Sequence, residues 1–126
     1  MRGFGLVLAV ALLGACGPTF SEARLASYPP RSDNCELDFV DATRAEMSPG
    51  GKWRVVGYVS VEGLGGVDAF SPRNRELIRP RICQLGGVAV ARAAEGMAGA
   101  PATTGPAITY AALRLADEPA QQAATY

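Results

Sequence analysis

Residues 53–62 alternate from Trp53 to Glu62, the longest such pattern in the chain. Trp53, Val55, Gly57, Val59 and Val61 fall on one side and Arg54, Ser60 and Glu62 on the other, with Val56 and Tyr58 between them. Period-two alternation rich in β-branched residues predicts a strand with one face on a core. Trp53, the single tryptophan, is expected to pack in that core. A shorter alternation over residues 35–42 sets Cys35, Leu37 and Phe39 against Glu36 and Asp38 and predicts a half-buried strand. The period changes after Ser71-Pro72, a capping residue followed by a proline suited to the first helical position. Ile78, Ile82 and Leu85 then recur at helical spacing, with Leu77 beside them, and Gly86 supplies the stop. Pro80 lies inside this pattern and predicts a kink or a split near Arg79. Residues 88–94 read as a buried strand. Residues 108–115 read as a last strand, antiparallel to it across the loop 96–106. The order β-β-α-β-β predicts an α+β domain over residues 35–115: a small sheet of about four strands with one kinked helix packed on one face.

The remaining segments read as connections. Met47-Ser48-Pro49-Gly50-Gly51 is a turn signal. Gly63-Leu64-Gly65-Gly66 is a flexible connection; it neither opens a helix nor carries the lysine of a phosphate-binding loop. Residues 17–34, broken by Pro18, Pro29 and Pro30, show no sustained periodicity and are expected to form a tether, with Cys16 as its anchor (16–34). Residues 116–126 are expected to be a disordered tail.

The first residues carry a different pattern. Met1-Arg2 is a short positive region, residues 4–13 are uncharged and apolar, and the uncharged run stops at Pro18. That is short of the roughly 18–20 residues needed to cross a bilayer and predicts a signal peptide over residues 1–15. Leu13-Gly14-Ala15-Cys16 resembles the lipobox of bacterial lipoproteins. The resemblance implies cleavage before Cys16, diacylglycerol on its sulfur and an acylated (palmitate-type) amino terminus, with the lipid bilayer as partner. Gly17, rather than an aspartate, follows the cysteine and favours the outer over the inner membrane.

Charge and composition exclude more than they assign. The 126 residues carry 12 basic and 12 acidic side chains, and loss of residues 1–15 removes only Arg2 from that balance. A nucleic-acid partner would need a clustered basic surface, so no nucleic acid is expected. Arg73, Arg75, Arg79 and Arg81 do cluster; they read as a solvated helix face rather than an anion-binding patch. The chain has no histidine, which removes Ser-His-Asp and Cys-His catalysis together with the commonest metal ligand. With Cys16 acylated, the three cysteines leave an even pair, and a Cys35–Cys83 disulfide is expected in an oxidising compartment. A redox pair would call for Cys-x-x-Cys spacing, and a zinc site for more ligands.

The segment Arg81-Ile82-Cys83-Gln84-Leu85-Gly86-Gly87-Val88-Ala89-Val90 resembles the helix-Cys-Leu-Gly-Ala-strand segment of small bacterial lipoproteins. Together with Val55-Val56-Gly57-Tyr58-Val59 it is similar in pattern to the Rcs envelope-stress sensor lipoprotein family over residues 35–115. That family has more domain cysteines and a long proline-rich tether, so its signalling role is not carried over. The expectation is a non-enzymatic binding, structural or envelope-sensing module, with an envelope protein as partner and no catalytic residues, cofactor or metal. The alternative is a small-ligand-binding or carboxylate-dependent hydrolytic domain using Glu36, Asp38 and Asp41, the only local carboxylate cluster.

Overall fold

A computed structural model describes residues 17–64, 68–103 and 106–118 of the chain. The expected signal peptide, Cys16 and residues 119–126 of the expected tail lie outside the described residues. Six elements follow one another: β1 (Thr19–Arg24), β2 (Asp38–Phe39), β3 (Trp53–Glu62), α1 (Pro72–Gln84), β4 (Ala89–Arg92) and β5 (Ala107–Leu115). The fold is α+β, as the pattern predicts. The strands form one sheet in the order β1-β3-β5-β4-β2, antiparallel throughout except for the parallel β2–β4 pair. Among the described residues no helix is long and apolar enough to cross a membrane.

The sheet has five strands, not four, because part of the expected tether is folded. β1 pairs with β3 along its whole length, from Thr19 opposite Glu62 to Arg24 opposite Gly57. Phe20 packs toward the helix beneath the Arg81 guanidinium, 3.8 Å from its ring centroid, and Glu22 pairs with Arg81. The helix-facing side of β1 therefore carries a charge where an apolar residue would have made the alternation visible. Beyond the strand, Tyr28 is buried and the Arg31 amide donates to the Cys83 carbonyl at 2.9 Å. The folded unit begins at Thr19 rather than Cys35. It also extends past Leu115: the Ala116 amide donates to the Lys52 carbonyl, and Glu118 pairs with Arg114 at 2.8 Å.

The second strand is shorter than expected. Cys35 is buried, Leu37 and Phe39 are half-buried, and Glu36 and Asp38 are exposed, so the alternation holds. Only Asp38 and Phe39 join the ladder, opposite Ala89 and Val90.

β3 keeps its expected bounds but not its expected faces. The register slips between Val55 and Gly57, which pair with Leu113 and Ala112. This bulge inserts one residue and reverses the alternation on one side of it. Val56, Val59 and Val61 face the helix, whereas Trp53, Val55 and Tyr58 face the other way. Gly57 also lies on the helix side; a Cβ there would stand 3.0 Å from a Leu85 methyl and 2.8 Å from the Ala23 carbonyl oxygen.

Ser71 caps α1, its hydroxyl accepting from the Asn74 amide, and Pro72 takes the first turn. Pro80 does not split the helix, which runs unbroken from Pro72 to Gln84. Ile78 and Ile82 hold it to the sheet on either side of the proline, both fully buried. Past the end, Gly86 adopts φ +85° while its amide donates to Cys83 and that of Gly87 to Ile82. These paired bonds close the helix and require the left-handed conformation that glycine adopts without strain.

Both sheet faces are covered, by different means. Ile78, Ile82 and Leu85 meet Val56, Val59, Val61, Val90 and Tyr110 on one side. On the other, Met47, Tyr58, Ala89, Ala91, Ala111 and Leu113 form a second cluster under the loops 41–52 and 93–103. The single core expected from the sequence is therefore two. Burial pushes the Tyr110 phenol, which donates to the Ala69 carbonyl at 2.6 Å, up to about 12. The folded protein keeps this proton above pH 10, where an unfolded tyrosine gives its own up. That contribution is complete below about pH 10 and is lost as pH rises through about 12. Tyr110→Phe is expected to flatten part of the alkaline fall in melting temperature. The Tyr58 phenol, also raised by burial, accounts for some of the remainder. An unchanged alkaline slope in the variant would rule Tyr110 out as its source.

Candidate functional site

The face of the sheet turned away from the helix carries a broad concavity. Its floor is β3, where the bulge brings Trp53, Val55 and Tyr58 to that side. Its walls are the two loops. In the first, Thr43 and Glu46 cap each other: the Thr43 amide donates to the Glu46 carboxylate at 2.9 Å and the Glu46 amide to the Thr43 hydroxyl at 3.1 Å. Hydrogen bonding from the Thr43 backbone, then from its hydroxyl, holds the Glu46 carboxyl below its ordinary range. The chain then turns tightly through Ser48–Gly51 and returns to β3, with Gly51 donating to Ser48 and Trp53 to Glu46. Gly51 passes so close to the Ala45 carbonyl that a Cβ would stand 2.4 Å from its oxygen, and glycine is required there.

The second wall is tied to the first and to the floor. Arg44 donates to the Glu95 carbonyl, and the Tyr58 hydroxyl to the Ala98 carbonyl at 3.2 Å. Between the walls lies a solvent-open cleft of about 880 Å³ lined by Met47, Trp53, Val55, Tyr58, Met97 and Leu25 among others. Trp53 is half-buried, with the Lys52 ammonium 5.3 Å from its ring centroid. Leu25, at the mouth, is 47% exposed. Arg54 borders the cleft and is spent on structure, donating to the Tyr28 hydroxyl and the Ala116 carbonyl. The arrangement suits an apolar or aromatic side chain entering between two loops, with cationic groups at the edge.

The features singled out from the sequence lie elsewhere. Cys35 and Cys83 are joined, with 2.03 Å between sulfurs and 6.0 Å between Cα atoms, and staple the end of the helix to the approach to β2. Glu36, Asp38 and Asp41 are all exposed and none borders the cleft. Among the described residues no group of three or more His, Cys, Asp or Glu side chains is placed to hold a metal. The arginine cluster is not a plain solvated face. Arg75 and Arg79 lie over the Phe39 ring at 4.7 and 5.8 Å, and Arg81 covers Phe20. Arg79 also donates to the Cys35 carbonyl at 2.8 Å and pairs with Glu76 at 3.0 Å. Of the glycine-rich loop, Gly65 and Gly66 lie outside the described residues; Gly63 turns the chain at φ +90°.

Sequence reading missed the cleft because its parts are scattered. Met47 and the glycines after it read as a turn, Met97 as loop, Leu25 as tether and Trp53 as core. The one available signal was the pair Val56 and Tyr58, apolar on the side of β3 expected to be polar. It marks both the bulge and a second buried face. No family model, no curated protein and no solved structure matches this chain.

Proposed function

We propose that the chain is a bacterial lipoprotein of the cell envelope, anchored through acylated Cys16, in the outer rather than the inner membrane. In this reading its disulfide-stapled domain is a non-enzymatic module that binds an envelope protein. The observation that carries the binding role is the cleft between the two loops. Its lining joins Trp53, Tyr58, Met47 and Met97, and aromatic residues and methionine are among the types enriched in protein–protein interfaces. The methionines are unbranched and adapt to an incoming side chain. The absence of histidine from the sequence removes the commonest general base.

A benzophenone amino acid placed at Met97 in intact cells is expected to give one discrete protein adduct. The same adduct is expected from Leu25, at the mouth, and not from Arg73, at the start of the helix. Trp53→Ala should abolish it. Adducts of the same size from all three positions, or adducts to lipid alone, would overturn the cleft as a protein-binding site. Mass spectrometry of the membrane-extracted chain tests the anchor separately: a fragment beginning at acylated Cys16 is expected, and an intact residue 1–15 segment would overturn it.

A further inference from the structure

We propose that the anchored domain stands upright on its bilayer, so that the cleft is held clear of the membrane and takes its protein partner from the aqueous compartment. The inference rests on the reading of Cys16 as the anchor and adds where the site stands relative to the bilayer. Gly17 and Pro18 lie against the far end of β3. The Gly17 carbonyl oxygen is 3.8 Å, and the Pro18 Cα 3.6 Å, from where a Cβ on Gly63 would stand. Cys16 is the next residue, one peptide step of about 3.8 Å away. The segment expected to be a tether of 18 residues thus leaves Gly17 and Pro18 between the lipid and β1.

The cleft is at the opposite end of the same strand. Trp53 opens β3 and Gly63 follows its close. Ten residues at about 3.3 Å each place Trp53 about 30 Å from the anchoring end, and Tyr58, the nearest part of the cleft floor, about 16 Å from it. The exposed apolar surface is distributed in the same sense. Among the described residues the exposed large hydrophobic ones are Leu25, just past the end of β1, and Leu115, 39% exposed and opposite Trp53 in the ladder. Both lie at the Trp53 end. Acyl chains that bury firmly at Cys16 hold the Gly63 end at the headgroups. Through Gly17 and Pro18 there is little slack for the domain to fold over. The apolar lining of the cleft, with Leu25 at its mouth, is thereby kept out of the bilayer and open to a protein partner.

Trp53 is the only tryptophan and reports the orientation directly. The full-length acylated chain is reconstituted in vesicles containing headgroup nitroxide or acyl-brominated lipids. Co-sedimentation of this chain, and not of Cys16→Ser, establishes the anchor first; if both pellet, or neither does, the lipoprotein reading falls and the orientation with it. Trp53 emission is then expected to be nearly insensitive to both lipid quenchers and to be quenched by aqueous iodide as much in vesicles as in the detergent-free soluble Cys16→Ser chain. A chain carrying Thr19→Trp in a Trp53→Phe background is expected to lose several-fold more emission to the headgroup nitroxide. If the anchored chain instead shows Trp53 quenched by lipid as strongly as the Thr19 reporter, the domain lies with its cleft on the membrane. The orientation is then overturned while the anchor stands.

Discussion

Replacing Cys35 and Cys83 together by alanine is expected to lower the unfolding free energy by about 4 kcal/mol, the chain-entropy value for a loop of this length. The two residues are 48 apart in sequence, and one lies in the last turn of the helix. The other precedes β2, whose ladder has two residues and sits at the sheet edge. So short a strand has little to hold it apart from the staple and the bonds around it, namely Arg79 to the Cys35 carbonyl and Arg31 to that of Cys83. At a urea m-value of about 2 kcal/mol/M the midpoint should fall by about 2 M. Amide protection around Val40, which donates to the Val90 carbonyl, should fall first. A shift below about 1 kcal/mol would mean that the bond constrains little and that its role lies elsewhere.

A chain shortened to begin at Pro30 is expected to lose cooperative unfolding altogether, whereas one beginning at Gly17 should keep it. The shorter chain lacks β1, Tyr28, and the bonds from the Leu25 and Ala26 amides to the Val56 carbonyl. Burial of Tyr28 and partial burial of Phe20 together are worth about 3 to 4 kcal/mol. That is a large part of the whole stability of many small domains. It would also turn β3, ten residues long and mostly buried, into an exposed sheet edge, and such edges promote aggregation. Thermal melts followed by circular dichroism compare the two chains. Matching transitions would show that residues 17–29 are a tether after all and would remove the basis for the upright orientation.

The legible parts of the fold were those whose signal is local. The helix from Pro72 is declared by Ser71-Pro72, by the spacing of Ile78, Ile82 and Leu85 and by Gly86. All are backbone or one-face requirements met within a few residues. The bounds of β3 follow from its β-branched run, and the Cys35–Cys83 pairing from the count that remains once Cys16 is set aside. The illegible parts depend on partners distant in sequence. β1 has Glu22 where an apolar residue would announce a strand, and Glu22 is accommodated there by Arg81 of the helix. Pro80 forbids one hydrogen bond, and the packing of Ile78 and Ile82 outweighs that loss.

The cleft belongs wholly to the second class. Sequence alone determined a small α+β unit after an apolar N-terminal run, without histidine, and with one even pair of cysteines in the expected domain. Those follow from composition and from patterns of two or three and a half residues. Only the tertiary structure decided which side of β3 Trp53 occupies. One inserted residue at the bulge, forced where Val56 and Gly57 both meet the helix, turns Trp53 and Val55 to the opposite face. Two loops with no periodicity of their own then close over that face through Arg44 and Tyr58. A period-two reading assumes an unbroken register, and the site exists because the register breaks.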